Sequence, residues 1–250
     1  MSTIDILLLM SDEDRTVADA VRVAVPAIEQ VVEAIVRAFE HGGRLRYVGA
    51  GTSGRLGALD AREAPPTFGV DGDLVHAVIA GGDAALRSSI EGAEDDEVAG
   101  ERDIEKITRA GDVVVGVSAS GTARYVVAAI RRAREIGAVT AGVTCVPGTA
   151  LASAAELAIV VAVGPEIIAG SSRLKAGTAT KLVLNMLSTA AMVRSGRTRG
   201  DLMVDLKPTN AKLRERAVRM VCDELGMSES DARARLESSG WSVRRAIEGR

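Results

Sequence analysis

The chain has 250 residues, 47% hydrophobic and 26% charged, with a net charge of −3, which is one to two soluble domains that bury a core. The near-neutral charge and scattered basic residues argue against a nucleic-acid partner, and no run approaches the ~18 apolar residues of a membrane span. Two cysteines, Cys145 and Cys222, read as reduced thiols in a cytoplasm; neither neighbours a Cys or His at ligand spacing, so no metal site is expected.

Aromatics make up only 2% of the chain, so its core must come from Val, Ile, Leu and Ala, which fits a parallel sheet covered by helices. The N-terminal run Ile4 to Met10 lacks a basic flank and a small-residue cleavage site, and does not read as a signal peptide. Ser11-Asp12-Glu13-Asp14 has the form of a helix start. Val17, Val21, Ala24, Ile28, Val32, Ile35 and Phe39 then recur at helical spacing to about His41, where Gly42 and Gly43 end the helix. Pro26 is expected to kink or divide it. Residues 1–41 are read as an N-terminal helical arm.

Five apolar runs follow: Leu45–Ala50, Leu74–Ala80, Val113–Val117, Val139–Val146 and Leu157–Val163. Helical segments lie between them at Ser53–Arg62, Asp83–Ala99, Ala123–Ile136 and Ala150–Glu156. This alternation predicts an α/β fold, a doubly wound five-stranded parallel sheet over residues 42–205. Lys175 to Val193 is a long helix, apolar nearly all round and rich in small residues. It must be covered on most sides, by the chain's own core or, as preferred, by a second subunit. Residues 206–250 read as a small helical subdomain, Asn210–Leu225, Ser228–Glu237 and Trp241–Glu248, with the size and rhythm of a ubiquitin-associated three-helix bundle.

The first strand runs into Gly49-Ala50-Gly51-Thr52-Ser53-Gly54, and the third into Ser118-Ala119-Ser120-Gly121-Thr122. Glycines allow close backbone approach, and hydroxyls at a helix start, with free N–H groups and the positive end of the helix dipole, suit a phosphate. Ligands of such sheets sit at the carboxyl ends of the strands, so the two loops should face one crevice. Gly51, Thr52, Ser53, Ser118, Ser120, Gly121 and Thr122 are the candidate binding residues; the bland alternative for the second loop is an ordinary helix cap. Gly49-x-Gly51-x-x-Gly54 also fits a dinucleotide fingerprint, but the next strand ends Val78-Ile79-Ala80-Gly81-Gly82 without the ribose-binding acid.

Two carboxylates are candidates for chemistry. Glu63 stands just ahead of Ala64-Pro65-Pro66, where the helix is expected to stop, and a carboxylate at a helix C-terminus holds its proton more firmly. The alternative is a solvated helix-end Glu. Glu94 belongs to an acid run, but Leu86, Ile90 and Glu94 are four apart, which predicts that it points inward. His41 and His76 are isolated and read as structural.

With these residues in place, the chain resembles the sugar-isomerase-type phosphosugar-binding proteins, and among them the N-acetylmuramic acid 6-phosphate etherases. The likeness is carried by Gly49–Gly69, Ile79–Gly82 with Glu91–Asp95, Ser118–Thr122, Gly170-Ser171-Ser172-Arg173-Leu174-Lys175 through Asn185-Met186, and Leu202–Asn210, over roughly residues 12–225. The resemblance implies a three-layer α/β/α fold and a lyase that cleaves the D-lactyl ether of N-acetylmuramic acid 6-phosphate, giving N-acetylglucosamine 6-phosphate and D-lactate in cell-wall sugar recycling. It implies no cofactor, a small phosphorylated amino-sugar ligand, and a homodimer. Glu63 would be the general acid and Glu94 the second catalytic group, a base; sequence alone leaves the two roles exchangeable. The rival readings are a non-catalytic phosphosugar sensor, which needs the loops but not Glu63, and an aldose–ketose phosphate isomerase. The family usually has a longer N-terminal segment and continues beyond the last residue of this chain; the shorter N-terminal segment is expected to weaken a dimer contact or a substrate lid.

Overall fold

The computed structural model describes residues 1–249. Its centre is a five-stranded sheet, β1 (Leu45–Gly49), β2 (Val75–Ile79), β3 (Val113–Val117), β4 (Val139–Thr144) and β5 (Leu157–Val160), every pair parallel, in the order β2-β1-β3-β4-β5. Valine-rich strands suit this position because both faces are covered. Val113, Val115 and Val117 of β3 pack into one core, Val114 into the other. The first core also takes α2 (Thr16–Glu40), α3 (Gly51–Phe68) and α7 (Lys175–Arg194); the second takes α4 (Glu97–Ile107), α5 (Arg124–Ile136) and α6 (Ala150–Ala154). The expected doubly wound sheet is therefore present. Its order reverses between β1 and β3, which opens a crevice at their carboxyl ends.

Five expectations about helices change. The chain is already helical from Thr3: α1 (Thr3–Asp14) is started by a Ser2–Asp5 capping box, not by Ser11. The arm expected over residues 1–41 is only α1, which buries none of its residues, because α2 lies in the core through Val17, Val21, Ile28, Val31 and Ile35. Pro26 does not divide α2. It sits on the exposed face, where the carbonyl deprived of its partner meets water. Between β2 and α4 there is no continuous helix, but 3-10 turns at Gly82–Leu86 and Ala93–Asp95, separated by a chain reversal at Gly92 in left-handed conformation. Finally, α3 runs through Pro65-Pro66 to Phe68, held by buried Ala64 and Phe68, and ends at left-handed Gly69.

The small residues of α7 serve the chain's own core. Ala176, Ala179, Val183, Leu184, Leu187, Ala191 and Met192 are buried with α2 and α3, while Asn185, Met186, Thr189 and Val193 stay exposed. The preferred subunit contact thus concerns at most the outer face of this helix.

The C-terminal helices α8 (Ala211–Leu225), α9 (Glu229–Ser238) and α10 (Val243–Glu248) share a third core with Val204 and Leu206. The boundary expected after residue 205 therefore falls inside a segment that packs with these helices. Arg244 grips Asp205 with two bonds of 2.7 and 2.9 Å, and the Asp205 carbonyl lies where a Cβ on Gly69 would be, 2.0 Å away. The C-terminal subdomain is thus seated on the far end of α3.

Candidate active site

The turn from β1 into α3 depends on two glycines in contact. A Cβ on Gly49 would stand 2.7 Å from the Gly54 Cα, and one on Gly54 would stand 2.5 Å from Ile79. The backbone can therefore fold back on itself only without side chains there. The β3 loop is pinned from below: the Cys145 N–H and the Thr144 hydroxyl both donate to the Ala119 carbonyl, at 2.9 and 3.2 Å. Gly121, at φ +66°, leaves room for Thr149, which a Cβ would meet at 2.3 Å.

Among the described residues six α-helix starts carry a side-chain cap and four, those of α2, α3, α5 and α7, do not. α1, α4, α6, α8, α9 and α10 have their first N–H groups capped by the side chains of Ser2, Asp96, Thr149, Asn210, Ser228 and Ser242. α3 and α5, which follow β1 and β3, begin after Ala50 and Ala123 and have no side-chain cap. Unfilled donors at two neighbouring helix N-termini make an anion site, with the dipoles adding positive potential.

A crevice of about 390 Å³ opens there. It is lined by Gly51, Thr52 and Ser53 from one loop, Ser118 and Ser120 from the other, and Glu94. Gly121 and Thr122 support this surface without lining it: the hydroxyls of Ser120 and Thr122 are 2.8 Å apart. Glu94 reaches the crevice from the 3-10 turn that follows Gly92, not from an apolar helical stripe; Leu86 and Ile90 are 41% and 44% exposed. The helical phase that singled Glu94 out does not exist in the structure.

Glu63 is not brought to this crevice. Its side chain is exposed in the interior of α3, so the helix C-terminus expected to favour its protonated form lies five residues further on, at Phe68. Twelve residues separate it from Gly51, about 18 Å of helix.

Sequence reasoning missed the third wall. After β5, residues Gly164, Glu166, Gly170 and Ser172 complete the lining of the crevice. The Glu166 carboxylate accepts the N–H groups of Lys175 and Ala176 at 3.0 and 2.9 Å, the first amides of α7. Burial, and then the nearby Glu166 charge, push the Cys145 thiol in the crevice floor up to about 11. Gly170-Ser171-Ser172 was visible as part of the family likeness, but nothing in the local pattern marked Glu166. His76 belongs elsewhere. It lines a separate cavity of about 280 Å³ under edge strand β2, with its Nδ1 buried and unpartnered; burial first, then Arg46 and Arg62, lower its pKa. That cavity has no glycine–hydroxyl loop. Among the described residues no cluster of three or more His, Cys, Asp or Glu is placed to hold a metal, and no helix is long and apolar enough to cross a membrane.

Known proteins agree with this geometry. A family profile described as SIS domain matches residues 99–190, and one described as glucokinase regulatory protein N-terminal SIS domain matches residues 27–134. A curated relative from Jannaschia sp. (strain CCS1), named N-acetylmuramic acid 6-phosphate etherase, is 53% identical over 99% of this chain and 78% of its own length. The chain belongs to the N-acetylmuramic acid 6-phosphate etherase family. Another etherase of that name, from Yersinia pestis (strain Pestoides F), is 50% identical over 99% of this chain and 84% of its own. Among solved structures, a phosphoheptose isomerase from Francisella tularensis shares the etherase chain's fold with a TM-score of 0.58 at 17% identity, covering 76% of this chain and 98% of its own. The Vibrio vulnificus NanR protein complexed with ManNAc-6P does so at 0.53 and 17%, covering 76% and 63%.

Proposed function

We propose that this chain is a carbon–oxygen lyase that removes the D-lactyl group of N-acetylmuramic acid 6-phosphate, releasing N-acetylglucosamine 6-phosphate and D-lactate. The observation that carries the reading is likeness over 99% of this chain to named etherases together with a carboxylate, Glu94, in the wall of an uncapped double helix-start cradle. The cradle suits the 6-phosphate. Ring opening exposes an aldehyde at C1 that acidifies the C2 proton. Glu94 removes that proton, the C3–O bond breaks with its electron pair going to the lactate oxygen, and an acid protonates that oxygen. Water then adds at C3 of the enal, and C2 regains a proton. A positioned base and acid are what such a step needs.

Glu63 is the acid of this reading, and it serves a neighbouring copy. Within one chain it stands about 18 Å of helix from the cradle, a length no hexose phosphate spans. It is exposed, with Leu59 one turn earlier 53% exposed, and the outer face of α7 and the whole of α1 leave further apolar side chains uncovered. A homodimer that covers these would carry Glu63 of one copy to the crevice of the other. Two free thiols, Cys145 and Cys222, support a reducing, cytoplasmic setting.

The test is D-lactate release from N-acetylmuramic acid 6-phosphate. Glu94→Gln and Glu63→Gln are each expected to cut turnover by ~10² or more. Mixing the two inactive variants after partial unfolding and reassembly is expected to restore part of the activity. Full activity in either single variant removes that residue from the mechanism, and no recovery in the mixture removes the shared site.

A further inference from the structure

The geometry points to Glu166 as a specificity-determining residue that reads the hydrogen-bond donors of the sugar, its hydroxyls or acetamido N–H, from the crevice wall that follows β5. This rests on the phosphosugar reading of the crevice. Where α4, α6 and α8 are capped by the adjacent Asp, Thr or Asn, α7 follows Leu174, which provides no side-chain cap. Glu166 reaches back to it from nine residues upstream, and its two oxygens each accept one amide, from Lys175 and from Ala176. A carboxylate has about four acceptor directions, so each oxygen keeps one after these bonds. Glu166 lines the crevice, between Gly164 and Gly170. Its acceptors are thus fixed in place before a ligand arrives, and little ordering is lost when a donor meets them.

Charge narrows what this wall takes. No Lys or Arg lines the crevice, whose charged lining groups are Glu94 and Glu166. An anion is drawn to the helix starts of α3 and α5 and is repelled from Glu166, where α7's first amides are already engaged. A sugar carrying a phosphate and a lactyl carboxylate is therefore oriented: phosphate on the cradle, hydroxyl or acetamido edge on Glu166, lactyl arm away from it.

The test is calorimetric binding of N-acetylglucosamine 6-phosphate and of inorganic phosphate to the full chain and to Glu166→Gln. The variant is expected to lose about tenfold or more in affinity for the sugar phosphate, the scale of a hydrogen bond to a charged group, and to bind inorganic phosphate as the parent does. Equal loss of both ligands would make Glu166 a support of the fold only, and unchanged sugar affinity would remove it from recognition; either overturns the proposal. Should Glu166→Gln fail to fold, Glu166→Asp keeps the charge on α7 and withdraws the acceptor, and the same selective loss is expected. A parent protein that binds the sugar phosphate yet releases no D-lactate would sink the lyase reading and leave this comparison intact.

Discussion

At the amino ends of the strands Arg44, Arg46, Asp73 and Asp112 satisfy one another, while at the carboxyl ends the helix starts of α3 and α5 are left open. Arg46 is fully buried; it donates to the carbonyls of Ile107 and Asp73 at 2.9 and 2.6 Å and lies 3.2 Å from the Asp73 carboxylate and 3.9 Å from Asp112. Burial brings its guanidinium down to about 10, against the pull of Asp112. Asp112, equally buried, accepts the Arg44 and Arg109 backbone N–H groups at 2.9 and 3.1 Å. The Arg46 Nη2 lacks a hydrogen-bond partner, but it is buried 3.2 Å from the Asp73 carboxylate rather than open to a ligand. Strong buried charge, often taken as a mark of function, here marks structure, and the carboxyl ends of the strands are marked instead by the helix starts of α3 and α5, which have no side-chain cap.

The sharpest way to break this contrast is Asp112→Asn. It leaves Arg46 buried without one of its counter-charges, and a loss of about 3–5 kcal/mol of stability is expected from urea unfolding, with phosphosugar affinity of the folded protein unchanged. Altered affinity at constant fold would mean that the two ends are coupled. Next in size is Ser120→Ala at the open end. It is expected to raise KM about tenfold with kcat kept, and to leave the unfolding midpoint where it was. An unchanged KM would remove Ser120 from phosphate binding.

A third, smaller effect belongs between the two ends. Burial raises Asp60 from its ordinary value to about 6, although Tyr47 and Ser188 donate to it at 2.9 and 3.1 Å and Lys181 is near. A carboxyl whose folded pKa lies above its unfolded one stabilises the fold at low pH, and that contribution is lost as pH rises from about 4 through 6. Relative to Asp60→Asn, the parent should therefore lose about 1 kcal/mol between pH 4 and pH 7, some 2–4 °C in melting temperature. Parallel melting curves for both proteins across that range would show that Asp60 titrates normally.

The same division explains what the sequence disclosed. Val113–Val117 and its sister runs gave the strands because a buried parallel strand is written in consecutive residues. The cradle was legible for the same reason: Gly51-Thr52-Ser53 and Ser118-Ala119-Ser120 each follow a strand directly. What failed were inferences that extended a local rule. Pro65-Pro66 did not stop α3, because buried Ala64 and Phe68 outweigh the local preference, and Gly69 is the real end. Gly92 broke the helix on which Glu94 was placed, so Glu94 lines the crevice for a reason other than the periodicity that singled it out. Glu166 was not legible because its partners, Lys175 and Ala176, are nine and ten positions away across an irregular loop.

The contact between Gly49 and Gly54 also bears on how the binding site can change over generations. Neither position has space for even a methyl group, so single replacements there cost the turn itself and the cradle is locked against gradual drift. By contrast, a Cβ on Gly164 or Gly170 would meet no atom within 4 Å, although both hold positive φ, and Ile168 between them is 64% exposed. New sugar preferences are thus most accessible to variation in the loop from Gly164 to Ser172, and a library confined to it would leave phosphate capture untouched.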